Sequence, residues 1–237
     1  MSALQNNLQA IKERIHQAAL ACGRSAQDIK LLAVSKTFPA EDVRDAYSFG
    51  QRCFGENYVQ EGVAKVLELK DLRSSIEWHF IGPIQSNKSK DVAENFDWVH
   101  SIDRIKIAQR LNDQRPPHLP PLQVCVQVNI SGEASKSGIQ PDELLDICQK
   151  ISAMPHLRLR GLMSIPEPTE DVESQRKSHH QLRELLSQLQ QSSALDHQKL
   201  QLDTLSMGMS SDIEAAIAEG STMVRVGTAI FGKRTYL

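Results

Sequence analysis

The sequence lacks the features that would tie it to a membrane or a secretory route. In its 237 residues, no apolar run approaches the ~20 residues that a membrane-spanning helix needs. The first residues show no basic start followed by an apolar stretch, so no secretory signal is visible. The four cysteines form no C-x-x-C pair and lie mostly in apolar surroundings, where cysteine is usually a small core residue. We therefore expect a reducing, cytoplasmic location.

Net charge is small, and two common binding motifs are absent. The formal charge of -2 argues against a nucleic-acid binder that relies on a broad basic surface. No G-x-G-x-x-G follows a predicted strand, which removes the main sequence evidence for a dinucleotide-binding fold. The adjacent His179 and His180 point about 100° apart on a helix and have no spaced third ligand, so we predict no metal site. His79 and His100 fall near strand ends, where they either line a mouth or pack hydrogen-bonded and partly buried.

What remains is the composition of an ordinary globular protein, with 40% hydrophobic and 24% charged residues. The length fits one large domain or two small ones. The proline-rich stretch 115–121 could pass for a domain linker, but the same alternation of elements continues on both sides. We therefore predict one domain over 1–237, with 115–121 as a rigid loop.

Helix-like and strand-like segments alternate along the chain. Apolar residues recur at helical spacing from Leu4 to Ala19, and Gly23 can end this first helix. Regular alternation afterwards predicts parallel strands joined by helical crossovers. Such units in fewer than ~250 residues predict a single α/β fold, a closed (β/α)8 TIM-type barrel with an extra N-terminal helix. The predicted strands are the short apolar runs at 30–36, 52–57, 77–82, 98–103, 122–130, 157–165, 204–207 and 223–230.

Lys36 closes the first of these apolar runs. An amine at the end of a buried strand sits in a low dielectric, which disfavours its charged form and lowers its pKa. A neutral amine attacks aldehydes and ketones, which is the chemistry of a Schiff-base lysine. A lysine at a strand end more commonly extends its amine into water, so Lys36 alone does not assign a function.

The loop after the seventh strand has the composition of an anion site. In barrels of this type, phosphate is often held after strands seven and eight, near a helix N-terminus. Ser206 and Ser210 offer hydroxyl donors, and a predicted helix over 212–219 offers backbone N–H groups. Ser211 and Glu214 have capping-box spacing. The alternative is that this loop only turns the chain and caps the helix.

The eighth strand adds a cation and a second candidate loop. Arg225 alternates with Met223 and Gly227 on one face. A guanidinium inside a barrel needs partners, and an ion pair with a carboxylate is the simplest arrangement. Gly227 lets the backbone approach a ligand, and Thr228 offers a hydroxyl. A reactive lysine, a phosphate cradle and a cation that points into the barrel together suit a phosphorylated aldehyde with a ring acceptor. Pyridoxal 5'-phosphate has all three groups.

At this point the chain resembles the pyridoxal phosphate homeostasis proteins, a family of small pyridoxal-phosphate-binding barrels. The resemblance extends over nearly the whole chain. Its most specific parts are LAVSKT at 32–37, FGENY at 54–58, WHFIG at 78–82, QSNK at 85–88, GLM at 161–163, SMGMS at 206–210 and VRVGTAIFG at 224–232.

The resemblance implies a role for each candidate residue. Lys36 would carry the cofactor as an internal aldimine, and Arg225 would face the pyridine nitrogen. Asn57 would lie beside the ring. The implied phosphate-binding residues are Ser206, Ser210, Gly227 and Thr228.

The resemblance also bears on whether the protein is an enzyme. The family's barrel is similar to the N-terminal domain of bacterial alanine racemases, which carry a second, all-β domain and take a base from a partner tyrosine. This sequence ends at Leu237, shortly after the eighth predicted strand, so a two-base racemase looks incomplete. An arginine cannot accept the ring proton, and this leaves the ring a weaker electron sink.

We therefore expect a monomer that holds pyridoxal phosphate and acts in its intracellular homeostasis, without robust turnover. The expected partners are the cofactor itself and pyridoxal-phosphate-dependent apoenzymes, with neither nucleic acid nor membrane. Two alternatives stay open: a racemase or lyase of low efficiency, and an aldolase-type barrel whose lysine attacks a sugar phosphate.

Overall fold

The computed structural model describes residues 2–132, 137–196 and 200–232. Its parallel strands close into a barrel in chain order, because each strand pairs with the next and the last pairs with the first. Each strand lies within its predicted range, so the predicted (β/α)8 fold is confirmed. The strands are β1 (Lys30–Val34), β2 (Cys53–Glu56), β3 (Glu77–Phe80), β4 (Trp98–Ile102), β5 (Leu122–Gln127), β6 (Leu157–Met163), β7 (Thr204–Ser206) and β8 (Met223–Val226).

Helices surround the barrel, and the predicted N-terminal helix is among them. Its buried residues Leu8, Ile11, Ile15 and Ala19 follow helical spacing, and Ser2 caps its start by accepting from the Gln5 N–H. Among the described residues, no helix combines the length and apolarity needed to cross a bilayer. The helices are α1 (Ala3–Ala21), α2 (Ala40–Ser48), α3 (Val59–Glu68), α4 (Ser89–Asn95), α5 (Ile105–Gln114), α6 (Leu144–Ser152), α7 (Val172–Gln191), α8 (Ile213–Ala218) and α9 (Thr228–Phe231).

Strand alternation separates two buried regions. Val224 and Val226 belong to the large apolar core between strands and helices. Met223 packs instead with Leu32 in a separate cluster. Because successive side chains point to opposite faces, Arg225 shares the inner face of β8 with Met223. The barrel interior therefore contains a buried arginine, as the sequence indicates.

The eighth strand is shorter than predicted. It ends at Val226, and Gly227 (φ -115°, ψ -79°) leaves the extended conformation to cap α9. The Ile230 and Phe231 N–H groups donate to the Gly227 carbonyl. The apolar residues after Gly227 thus belong to a helical turn, and the prediction that the strand continues to 230 is wrong.

Candidate functional site

A cavity of about 440 Å³ opens at the carboxyl ends of the strands. This volume falls in the range of roughly 300–1,000 Å³ that small-molecule sites occupy. All but one of the predicted site residues line it. The lining residues are Val34, Lys36, Phe38, Asn57, Ile81, Ile165, Met209, Ser210, Ser211, Arg225, Gly227 and Thr228.

Lys36 lies just beyond the end of β1, in a tight turn. The strand stops at Val34, and the Phe38 N–H donates to the carbonyl oxygen of Ser35 at 3.1 Å. Thr37 has a φ of 68°, an outlier for a β-branched residue. Such a conformation persists only where the surroundings enforce it, so the backbone next to Lys36 is held by contacts.

A buried ion cluster supplies those contacts. The Lys65 ammonium donates to the Ser35 carbonyl at 2.7 Å and to Glu56 Oε1 at 2.8 Å. It also donates to Glu61 Oε1 at 2.6 Å, and that carboxylate accepts the Thr37 N–H. The Ser35 hydroxyl donates to Glu56 Oε1 at 2.6 Å. Both residues that flank Lys36 are therefore tied to one ammonium group and its two carboxylates.

Arg225 is buried inside the barrel, and the described part of the chain gives it no carboxylate partner. Nη1 donates to the Ser206 carbonyl at 2.6 Å and to the Ser206 hydroxyl at 2.8 Å. Nη2 donates to the Ser164 carbonyl at 2.8 Å. Burial lowers the pKa of Arg225 to about 10, so the guanidinium stays charged at neutral pH. Neutral oxygens replace the ion pair that the sequence suggested as the simplest arrangement.

Ser206 is the predicted residue that does not line the cavity. It is fully buried, and its hydroxyl lies between Arg225 Nη1 and His100 Nδ1, at 2.8 Å from each. Ser206 therefore lies behind the arginine rather than at the cavity wall. His79 and His100 are also fully buried, inside the barrel and away from its mouth.

A glycine shapes the loop between β7 and α8. Gly208 has a φ of 95°, and a Cβ there would lie 2.5 Å from the Ala216 Cβ. Asp212 occupies the N-cap position of α8, but its carboxylate accepts the Met209 N–H of the loop and lies 2.9 Å from His179 Nε2. Burial alone would raise the pKa of Asp212, but these hydrogen bonds outweigh it and hold the pKa below its usual value. The loop is thus fixed before any ligand enters.

The first helix also fixes this loop. Arg14 Nη1 donates to the Ser210 carbonyl at 2.7 Å, and Arg14 binds both carboxylate oxygens of Glu214. The predicted capping box between Ser211 and Glu214 is therefore wrong, because Asp212 takes the cap position and Arg14 takes the glutamate. Arg14, on an element remote in sequence, therefore ties the loop and the start of α8 to α1, with its charge paired to Glu214.

Helix α1 also contacts α9, the short helix that follows β8. The Asn7 amide donates to the Ile230 carbonyl at 3.0 Å. At the start of α9, Thr228 lines the cavity, and a Cβ on Gly227 would lie 3.1 Å from the Val34 carbonyl oxygen. The first N–H groups of any helix lack intrahelical partners and are suited to an anion.

Asn57 follows β2 and lines the cavity. Its Oδ1 is buried and has no hydrogen-bond partner among the described residues. Gly82 packs against its backbone so closely that a Cβ would lie 2.1 Å from the Asn57 carbonyl oxygen. An unpaired buried acceptor beside a cavity is suited to a donor on a ligand.

Comparison with known proteins places the chain in a family. The family model described as "Alanine racemase, N-terminal domain" matches residues 1–235. A pyridoxal phosphate homeostasis protein of Pseudomonas aeruginosa is 56% identical over 236 residues, which cover 100% of this chain and 98% of that protein. The structure of PipY from Synechococcus elongatus, solved with pyridoxal phosphate bound, is 36% identical with a TM-score of 0.83. The match covers 97% of this chain and 100% of the PipY chain.

More distant likeness concerns the fold alone. Alanine racemase from Corynebacterium glutamicum is 18% identical with a TM-score of 0.66, and the match covers 95% of this chain and 62% of the racemase. The chain thus belongs to the family built on the alanine racemase N-terminal domain and, within it, to the pyridoxal phosphate homeostasis proteins.

Proposed function

We propose that this protein binds pyridoxal phosphate as a Schiff base on Lys36 and serves its intracellular homeostasis and delivery, without robust turnover. The observation that carries the proposal is one cavity that combines an amine, a guanidinium and several hydroxyls. Lys36, Arg225, Ser210 and Thr228 contribute these groups at a cavity of about 440 Å³. Each group matches a different part of the cofactor, and the protein acts as a monomer in this proposal.

The donor set fits the cofactor part by part. The Lys36 amine suits the aldehyde, and the hydroxyls of Ser210 and Thr228 suit the phosphate, with backbone N–H groups at the start of α9. Val34 and Ile81 offer apolar surface to the ring. The Ser206 hydroxyl acts through Arg225 in this proposal, since it is buried behind the guanidinium.

The same residues disfavour efficient chemistry on amino acids. Bound pyridoxal phosphate supplies an electron sink, and the sink works best when an acidic residue keeps the ring nitrogen protonated. Arg225 is already charged and only donates, so it cannot hold that nitrogen in the protonated form. None of the cavity-lining residues in the described ranges is a tyrosine that would act as a second base.

The experiment is a visible spectrum and an intact mass of the protein with pyridoxal phosphate, before and after borohydride. We expect a coloured protein whose band is bleached as a pyridoxyl group becomes fixed, and no fixed group in Lys36→Ala. Lys90→Ala, which changes an exposed lysine paired with Glu94 at 3.7 Å, serves as the control. A wild type without a reducible adduct contradicts the proposal.

Delivery and turnover need separate measurements. Loaded protein should restore activity to an apoenzyme dependent on pyridoxal phosphate while a trap removes free cofactor. Loss of α-deuterium from amino acids should be slow or absent. A steady, Lys36-dependent loss of deuterium would instead support the racemase or lyase of low efficiency.

A further inference from the structure

A series of hydrogen-bonded polar groups, here called the hydrogen-bond chain, runs through the barrel from one mouth to the other. At the amino ends of the strands, Lys30 Nζ lies 2.8 Å from Glu77 Oε1, and His79 Nε2 lies 2.9 Å from the same oxygen. His79 Nδ1 lies 2.8 Å from His100 Nε2. His100 Nδ1 lies 2.8 Å from the Ser206 hydroxyl, which accepts from Arg225. This series of hydrogen bonds therefore links a half-buried carboxylate at one mouth to the guanidinium of the cofactor cavity at the other.

The carboxylate sets the direction of every hydrogen bond in this chain. An ionised Glu77 can only accept, so His79 Nε2 donates and its Nδ1 is left as an acceptor. His100 Nε2 then donates to His79, and His100 Nδ1 accepts from the Ser206 hydroxyl. That hydroxyl is free to accept from Arg225. Burial lowers the pKa of both histidines, which is consistent with two neutral rings.

If the hydrogen bonds between Glu77 and Ser206 ran in the opposite direction, the Ser206 hydroxyl would lack an acceptor for its own proton within this series. If His100 donated to the serine, the hydroxyl would face two donors, His100 and Arg225, and its own proton would need another acceptor. The acceptor-only end at Glu77 prevents this arrangement. Burial alone would raise the pKa of Glu77, but His79 and then the Lys30 ammonium hold the pKa of this half-buried carboxyl well below its usual value, so Glu77 stays ionised.

We propose that Glu77, His79 and His100 are positioning residues for the cofactor cavity, acting on the ring-facing Arg225 through the Ser206 hydroxyl. The proposal rests on the proposed function, since the ring nitrogen of pyridoxal phosphate is the group that Arg225 would meet. Glu77 lines a different cavity, of about 520 Å³, at the opposite mouth. A change there that alters the cofactor spectrum must be transmitted through the barrel.

The test compares two carboxylates at the same far mouth. Glu77 pairs with Lys30 at 2.8 Å, with side chains 35% and 40% exposed. Asp97 pairs with Arg73 at 2.7 Å, with side chains 29% and 33% exposed, and lines the same cavity. Glu77→Gln removes the charge and permits either direction of the chain. Asp97→Asn makes the same chemical change at a carboxylate that accepts from Arg73 and from the Trp78 N–H but bonds none of the side chains of the series, and it serves as the control.

We expect Glu77→Gln to shift the visible band of the bound cofactor and to weaken its binding roughly threefold to tenfold. Asp97→Asn should leave both unchanged. In a Ser206→Ala background, Glu77→Gln should have no further effect, because the hydrogen bonds between His100 and Arg225 are already lost with the serine hydroxyl. A Glu77→Gln protein that behaves like Asp97→Asn, or an equal shift in the Ser206→Ala background, overturns the proposal.

Nitrogen NMR of the histidine side chains in the wild type keeps the test independent of how the variants fold. His79 and His100 should both be neutral and protonated at Nε2. Protonation of either ring at Nδ1 contradicts the proposed direction. A wild-type protein that takes up no pyridoxal phosphate refutes the proposed function. Normal uptake with a spectrum and an affinity that Glu77→Gln does not change refutes only the positioning role of Glu77, His79 and His100.

Discussion

The Lys65 ammonium donates to the carbonyl oxygen of Ser35 at 2.7 Å, one residue before Lys36 in the chain. The same ammonium pairs with Glu56, whose pKa burial raises despite this cation. A buried ion cluster thus sets the backbone from which the candidate nucleophile extends. We therefore expect changes in this cluster to affect both the stability of the fold and the proposed binding of the cofactor at Lys36.

The first prediction concerns Lys65→Met. Removing one member of a buried ion cluster leaves a carboxylate uncompensated, so we expect a loss of about 3–5 kcal/mol in the free energy of unfolding. Urea unfolding measures this loss. Lys90→Met, at an exposed pair, should change it by less than about 1 kcal/mol. Equal losses of unfolding free energy in the two variants would show that the ion pairs of Lys65 stabilise the fold no more than an exposed ion pair does.

The second prediction concerns Arg225→Lys. Lysine keeps the charge but lacks the fork that meets the carbonyls of Ser206 and Ser164. We expect a loss of about 1–3 kcal/mol in the free energy of unfolding, because one buried acceptor is left unpaired. The band of the bound cofactor should also shift. Wild-type stability together with an unchanged spectrum would contradict both expectations.

The third prediction concerns phosphate recognition by Thr228. Thr228→Val keeps the shape of the side chain but removes its hydroxyl, so the affinity for pyridoxal phosphate should fall roughly tenfold. The affinity for pyridoxal, which lacks the phosphate, should hardly change. Ser187→Ala, which removes a hydroxyl bonded to the Arg183 carbonyl on α7, is the control. Equal weakening of both ligands would place the phosphate elsewhere.

The fourth prediction compares two glycines with positive φ. Gly23 (φ 70°) has open space where a Cβ would stand, whereas at Gly208 (φ 95°) the Cβ would lie 2.5 Å from the Ala216 Cβ. Gly23→Ala should cost about 1–2 kcal/mol for its backbone conformation. Gly208→Ala should cost more in thermal or urea unfolding and should also weaken cofactor binding. A smaller loss at Gly208 would show that the loop relaxes easily.

The fifth prediction concerns pH and Asp212. Its folded pKa lies below the unfolded value, so its ionised form stabilises the fold above about pH 4, and this contribution is lost as pH falls further. The difference in unfolding free energy between wild type and Asp212→Asn should therefore shrink as pH falls below about pH 4. A difference that does not change in acid contradicts the assignment.

The barrel, and the position of most candidate site residues at one cavity, could be predicted from the sequence because both follow from local patterns. Strand-helix alternation determines which strand ends share a mouth, and this places Lys36 and Arg225 at one cavity. The end of β8 was harder to predict, because a short apolar run has no period that separates strand from helical turn. There the glycine at 227, rather than the apolar pattern, decides the backbone.

Other features depend on contacts that no local pattern contains. Lys65 and Glu56 pair because α3 packs against β2, and nothing in the sequence marks this lysine as buried. Arg14, on α1, forms an ion pair with Glu214, so this glutamate does not form the capping box that its spacing from Ser211 predicts. His79 and His100 stand on neighbouring strands, but their hydrogen bond depends on which way each ring faces.

Helix α1 contacts both segments that follow the last two strands, through Arg14 at Ser210 in the loop after β7 and Asn7 at Ile230 in α9. A single outer helix therefore supports the segments that follow two adjacent strands, β7 and β8. Loss of the packing of α1 would therefore remove a support from both of these segments at once, while the strand pairing of the barrel itself stays intact.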